Sequence, residues 1–427
     1  MLNARETIQR LSRGGALMLL AGGLALAIPA TGATEENNAL DPNDETAEAT
    51  EIRRGLPTTD AQRTREQIYY ENVISKIEPD LLGHKDRLDL YIGLYKREMI
   101  NDTNLFATSL KAEWDEQEEK VRLSGYVNYN ENHNGLLRLF HHLGFEEVID
   151  EVEVLPSANL GEQKFGIVTA ATAFTYGAPE PPRESLTEAL MGDPVYLLRD
   201  AGNGYFLCLS HEGYVGYISE ENIARMDAGR FTEYQQGEQA FFQRNHDVGD
   251  RMIPMGARIK VSGHADAGES VLLEMPEGTE VRVPADAVVT RVSRPHPKAL
   301  EAIRVAEQMY GTRYVWAGKS TEGVDCSGLV QTAFRSQGVN MPRDSYMQAY
   351  VGALVGTYHY REEMREGDLL FFLGHQGRIT HVAIYKGNDV YLEASRGRVR
   401  LTSFNPEDER YDASRAASFA FAKRPLE

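Results

Sequence analysis

Apolar positions along this chain follow two rhythms, and the rhythm changes several times. Tyr70, Val73, Ile74, Ile77 and Leu81 recur at helical spacing and predict an amphipathic helix. KVRLSGYVNY (120–129) alternates like a half-buried strand, GLLRLFHHLGF (135–145) returns to the helical period, and VIDEVEVLP (148–156) reads as strand again. Residues 65–175 thus predict a small α+β domain. The proline-rich YGAPEPPRE (176–184) then reads as a linker.

Short alternating runs follow, and they repeat. MGDPVYLL (191–198) matches MGARIKVS (255–262), and FLCLSHEGYVGYISEENI (206–223) matches VLLEMPEGTEVRVPADAV (271–288). The offset is 64 residues for the Met-Gly pair and 65 for the Glu-Gly pair. Each copy predicts short strands joined by tight turns, hence a small β-barrel, at 185–230 and at 248–293. From 297 onward the pattern mixes helices and strands. PKALEAIRVAEQMYGT predicts a helix opened by proline and closed at Gly311, EGDLLFFL predicts a buried strand, and RITHVAIYKGNDVYLEAS predicts a hairpin turning near Gly387-Asn388-Asp389. The fold class is therefore multidomain: a small α+β N-terminal domain, two small β-barrels, and an α+β C-terminal domain at 297–425.

The chemistry sits in GVDCSGLV (323–330). Cys326, Leu329, Val330, Ala333 and Phe334 share one helical face, Asp325 occupies an N-cap position, and Gly338 a C′ position. Cys326 is thus in a first helical turn, where unpaired amides and the helix dipole favour a thiolate. His381 alternates with Ala383 and Tyr385 on its strand, and Glu393 lies on the return strand. For His381 and Glu393 to stand directly opposite, the loop must hold an odd number of residues; a three-residue loop at 386–388 satisfies this. A thiol nucleophile, an imidazole to move the proton and a carboxylate to orient the imidazole are the parts a cysteine peptidase needs. The amides opening the cysteine helix are candidates for holding an oxyanion. His141 and His142 lack ligand spacing, so no metal is expected. No cofactor is needed either, since the nucleophile is the protein's own. Cys208, in an apolar strand-like run, reads as a buried structural thiol.

These residues carry a resemblance. YVWAG, GVDCSGLV, MPRDSYMQ, GDLLFF, HVAIY and YLEAS resemble the NlpC family of papain-like cell-wall cysteine peptidases, over 297–425. The resemblance implies a papain-like catalytic domain cleaving the bond between γ-D-glutamate and a diamino acid in peptidoglycan stem peptides. It implies Cys326 as nucleophile, His381 as base, and Tyr314, Asp325 and Ser327 at the substrate site. The third position is usually histidine, asparagine or glutamine in the family; Glu393 departs from that. Arg343 matches a family arginine with a structural role. The two barrels resemble bacterial SH3-like (SH3b) domains, the second divergent. That order resembles SH3b-containing γ-D-glutamyl-L-diamino acid endopeptidases, in which the first barrel closes one end of the groove and limits the substrate. Two alternatives share the sequence: an inactive peptidoglycan-binding scaffold, and an amidase or acyltransferase on the same fold.

Charge and the N-terminus set the surroundings. A net charge of −19 excludes nucleic acid as a partner, which demands a basic surface. Arg5, Arg10 and Arg13 precede the apolar run ALMLLAGGLALAI and the small residues PATGAT, which predicts a signal peptide at 1–33 and an exported protein, periplasmic or extracellular, with no membrane span after its removal. Residues 34–64, acidic and poor in large apolar side chains, predict a flexible linker. The expected partner is peptidoglycan or released muropeptides.

Overall fold

The computed structural model describes residues 59–100, 102–290 and 298–426. The expected signal peptide and nearly all of the expected acidic linker lie outside them. Among the described residues no helix is long and apolar enough to cross a membrane.

In the N-terminal part a helix runs Thr59–Ile74, and a second, Leu88–Tyr95, continues into one wide turn to Ile100. The predicted stripe outlasts its helix: Ile77 and Leu81 follow the last turn, and Leu81 takes a left-handed φ of 62°. Three strands form one sheet, with Lys120–Val127 central. It pairs antiparallel with Thr108–Asp115 and parallel with Val148–Val154. The helix Asn130–His142 makes the crossover that a parallel pair requires. Its Leu136, Leu139 and Phe140 close the core with Tyr91, Tyr95 and Leu123.

The first barrel begins earlier than the turn residues suggest. Its seven-stranded sheet includes Phe165–Val168 and Thr172–Tyr176, which lie, all but Tyr176, inside the segment expected to belong to the N-terminal domain. Phe165–Val168 pairs with Ile223–Met226, and Thr172–Tyr176 pairs with Ser185–Leu190. The proline-rich stretch is therefore a hairpin connection, with Arg183 stacked on Tyr176 and Tyr205, rather than a linker. Proline and glycine mark a break in regular structure, but not whether the flanking strands pair with each other.

The repeat is visible in three dimensions. Hairpin strands Tyr205–Leu209 and Val215–Ser219 correspond to Ser270–Glu274 and Glu280–Pro284. Each hairpin leads through a single 3₁₀ turn, Glu220–Asn222 or Ala285–Ala287, into a last short strand. The matched glycines agree in backbone: Gly192 and Gly256 have φ of 85° and 83°, Gly213 and Gly278 of 89° and 90°. The second copy's five-stranded sheet also recruits Gln239–Phe242, ahead of the expected start at 248.

In the C-terminal domain a six-stranded sheet runs in the order 353–357, 419–424, 369–373, 379–387, 390–395, 398–403. The helices Ala299–Gln308 and Cys326–Arg335 pack on one face through Ile303, Ala306, Leu329, Val330, Phe334, Phe371, Val382 and Leu392. An aromatic cluster of Phe372, Tyr391, Phe404 and Phe419 fills the other.

Candidate active site

Asp325 caps the cysteine helix: its Oδ1 accepts the Gly328 N–H at 2.7 Å. Gly328 has to be glycine, because a Cβ there would lie 2.1 Å from the Gly318 carbonyl oxygen. The loop before the helix therefore presses against the first turn and leaves Cys326 only 8% exposed. Both cysteines are free thiols. Cys208 is fully buried in the first barrel, and burial pushes its pKa up to about 12.

His381 and Glu393 meet, though not in the register expected. The turn is the two-residue Asn388-Asp389, both at positive φ, with an extra residue, Lys386, bulged from the ladder between Tyr385 and Gly387. Tyr385 opposes Tyr391, so His381 and Glu393 are diagonal neighbours on one face. The diagonal suits a long side chain: Glu393 Oε2 lies 2.7 Å from His381 Nε2. Nε2 is thereby taken, which leaves Nδ1 for the hydrogen bond with Cys326. Glu393 is fully buried and further held by two residues that the sequence reading missed. Thr402 donates its hydroxyl to Oε1 at 2.6 Å, and Arg415 Nε lies 3.2 Å from Oε2 while its guanidinium stacks over Phe372. Thr402 was discoverable, since it shares strand parity with the Glu393 face of the sheet. Arg415, on the short helix Ala413–Ser418, gives no sequence signal at all.

Electrostatics fit an ion pair. Burial opposes the charged form of His381, but the charge and hydrogen bond of Cys326, then the bond to Glu393, outweigh it and raise its pKa above the usual value. Burial likewise opposes the Glu393 carboxylate, yet His381, Arg415 and Thr402 bring its pKa down to about 2.

Tyr314 is half-buried beside the thiol: burial first, then the Cys326 charge, raises its pKa. Asp325 and Ser327 also sit there, but their side chains are engaged within the protein. Asp325 Oδ2 accepts the Ala317 N–H at 2.9 Å and pairs with Arg343, and Ser327 Oγ takes a bond from Arg343 at 2.8 Å. As ligands for a substrate these two side chains are largely spent; they shape the wall. Arg343 also reaches Thr187 of the first barrel at 3.1 Å.

That contact belongs to a buried polar seam between the first barrel and this domain. Lys319 pairs with Glu212, and Arg335 pairs with Asp193, all of them buried. Glu188 accepts from the Lys319 backbone and from Ser320, and Tyr214 donates to Asp344. Burial alone would raise Glu212, but the Lys319 and His211 charges hold its pKa near 2. The barrel is thus fixed to the loop that precedes the cysteine helix.

Comparison with known proteins agrees with the fold. The sequence model of the NlpC/P60 family matches residues 311–415, and that of the bacterial dipeptidyl-peptidase SH3 domain matches 175–223. The chain carries an NlpC/P60 cysteine peptidase domain behind a bacterial SH3 domain. It is 29% identical over 272 residues to dipeptidyl-peptidase 6 of Lysinibacillus sphaericus, which covers 57% of this chain and 93% of that one. It is 34% identical over 131 residues to the gamma-D-glutamyl-L-lysine dipeptidyl-peptidase of Bacillus cereus, spanning 30% of this chain and about a third, 36%, of that relative. The crystal structure of an NlpC/P60 family protein from Bacillus cereus superposes with a TM-score of 0.52 at 21% identity, over 62% of this chain and all of that one, a likeness of fold.

Proposed function

We propose that this protein is an exported cysteine endopeptidase that hydrolyses the γ-D-glutamyl–diamino acid bond of peptidoglycan stem peptides. The observation that carries the reading is the buried chain Cys326–His381–Glu393 beneath a barrel fixed to the same domain. The names of the relatives support the bond and the substrate class. In this reading the Cys326 thiolate attacks the γ-carbonyl carbon, and the Cys326 N–H at the helix start receives the negative charge on its oxygen. His381 Nδ1 gives its proton to the leaving amine as the C–N bond breaks, which leaves a thioester on Cys326. Water then loses a proton to His381 and attacks the thioester; the carboxylate product leaves and the thiolate returns. Glu393 keeps His381 in the tautomer with hydrogen on Nε2 and stabilises the imidazolium. Tyr314 lines the wall beside the thiol, and Asp325 and Ser327 fix the backbone of that wall.

The contact between Tyr214 and Asp344 places a barrel residue against the loop beside Arg343. A barrel held so close favours small released peptides over glycan-linked wall, so released muropeptides are the proposed substrate, acted on in the periplasm or outside the cell. The second sheet, matching the first barrel element by element, is proposed as a divergent SH3-like barrel. The test is incubation with L-Ala-γ-D-Glu-diaminopimelate and with its glycan-linked form, read by mass spectrometry against Cys326→Ala. Release of L-Ala-D-Glu from the free peptide alone is expected. Cleavage of both would refute the gated groove, and cleavage of neither would refute the peptidase reading in favour of a scaffold.

A further inference from the structure

Next to the triad the surface changes sign. The turn Arg396-Gly397 joins the strand bearing Glu393 to the edge strand Arg398–Ser403, and a cleft of about 600 Å³ opens along that edge. Arg396, Arg398, Arg400 and Arg410 line it, with Tyr310 and Glu409. Two of these arginines are engaged: Arg396 pairs with Asp412, and Arg410 with Asp408. Arg398 and Arg400 donate no side-chain hydrogen bond and pair with no carboxylate among the described residues. In a chain of net charge −19, two unpaired guanidinium groups at one cleft are an unusual concentration of positive potential.

The strand that lines the cleft is paired with the strand that carries Glu393. Arg400 stands directly across the ladder from Glu393, and Arg398 from Ser395. Gly397 accepts the Tyr314 N–H at 2.7 Å, which ties the turn to the wall beside Cys326. The flank formed with the first barrel instead presents Asp325 and Asp344, both already bonded. We infer that Arg398 and Arg400 bind a free carboxylate of the substrate peptide on the leaving side of the scissile bond. This rests on the peptidase reading above and narrows its substrate to peptides ending in a free acid. Guanidinium recognises carboxylate through paired N–H donors, and a carboxamide of the same shape offers no charge.

The test uses the full chain in the Cys326→Ala background, so that binding is read without hydrolysis. Its affinity is measured calorimetrically for L-Ala-γ-D-Glu-diaminopimelate-D-Ala and for the same peptide with its C-terminal and side-chain carboxyls amidated. The free acid should bind roughly five-fold tighter, the scale of partly exposed ion pairs. Arg398→Gln with Arg400→Gln should abolish that preference and leave the amidated peptide unchanged, and the double lysine replacement should restore part of it. Equal binding of the two peptides, loss of affinity for both in the glutamine variant, or no binding of either would overturn the inference. Cleavage of both peptides by the wild-type chain without preference would overturn it too, while leaving the peptidase reading intact. Preference in binding without cleavage of any γ-D-Glu peptide would do the reverse.

Discussion

Replacing Glu393 by glutamine separates the charge of the third residue from its geometry. Glu393 Oε2 receives the His381 Nε2–H at 2.7 Å and lies 3.2 Å from Arg415 Nε in an ion pair, while Oε1 receives the Thr402 hydroxyl at 2.6 Å. A glutamine is therefore expected to keep its oxygen toward His381 and Arg415. Its NH₂ would turn to Thr402, whose hydroxyl can rotate to accept. The imidazole tautomer survives, so the loss should be far smaller than the ~10⁴-fold that follows when an amide forces the wrong tautomer on a catalytic histidine. What disappears is the charge. A charge-assisted hydrogen bond is worth about 1–1.5 kcal/mol more than a neutral one in a buried site. That is about one pKa unit on His381 and about tenfold in rate. Burial already pulls His381 down, and Cys326 and Glu393 raise it; removing the Glu393 charge leaves the imidazolium less favoured. The basic limb of kcat/KM against pH should move about one unit toward acid, with kcat near neutrality falling about tenfold. The assay is L-Ala-D-Glu release across pH 5–10. A fall of 10³-fold or more with an unmoved basic limb would refute the reasoning, since it would mean that Glu393 holds the tautomer and contributes nothing through charge.

Other consequences follow from the same geometry. Cys326→Ala should lower hydrolysis by at least about 10³-fold and change unfolding free energy by no more than about 1 kcal/mol, checked by turnover and urea denaturation. Lys319→Met strands Glu212, almost wholly buried with its partner, and should destabilise the barrel–peptidase unit by about 3–5 kcal/mol; Lys319→Met with Glu212→Met should recover most of it. A double-variant cost equal to the sum of the Lys319→Met and Glu212→Met costs would show that the pair is not coupled. Acid should unfold the protein for a reason whose sign is fixed. Glu393 and Glu212 titrate near 2 in the fold against about 4.5 when exposed, so their stabilisation is complete above that ordinary value and is lost as pH falls toward 2. His211, held neutral by burial with a pKa of about 4 against 6.5, binds its proton more readily when unfolded, so it adds a loss between those values. Thermal midpoints from pH 8 to 3 should fall monotonically below about 6.5, and a midpoint that rises on acidification would contradict both terms.

The sequence by itself determined the local pieces of the site. Asp325 before Cys326 and Gly338 after the helix are visible because capping depends on backbone groups a few residues away. The alternation of His381 with Ala383 and Tyr385, and the parity that puts Glu393 on the same side, are visible because strand side chains repeat every two residues. The repeat, with glycines at equivalent positive φ, is visible because only glycine is indifferent to that conformation. What the tertiary structure decided lies at longer range. The bulge at Lys386 changed a direct pair into a diagonal one without altering parity, so no periodicity could report it. Pairing of Phe165–Val168 with Ile223–Met226 moved a domain boundary, because a strand's partner is set by the sheet it completes and not by its own residues. Arg415 reaching Glu393, Lys319 reaching Glu212 across the barrel seam, and two arginines that pair with no carboxylate among the described residues all depend on which surfaces meet when the domains pack. Charged side chains carry no spacing rule that names their partner, so the buried network that sets the electrostatics of this site exists only once the chain has folded.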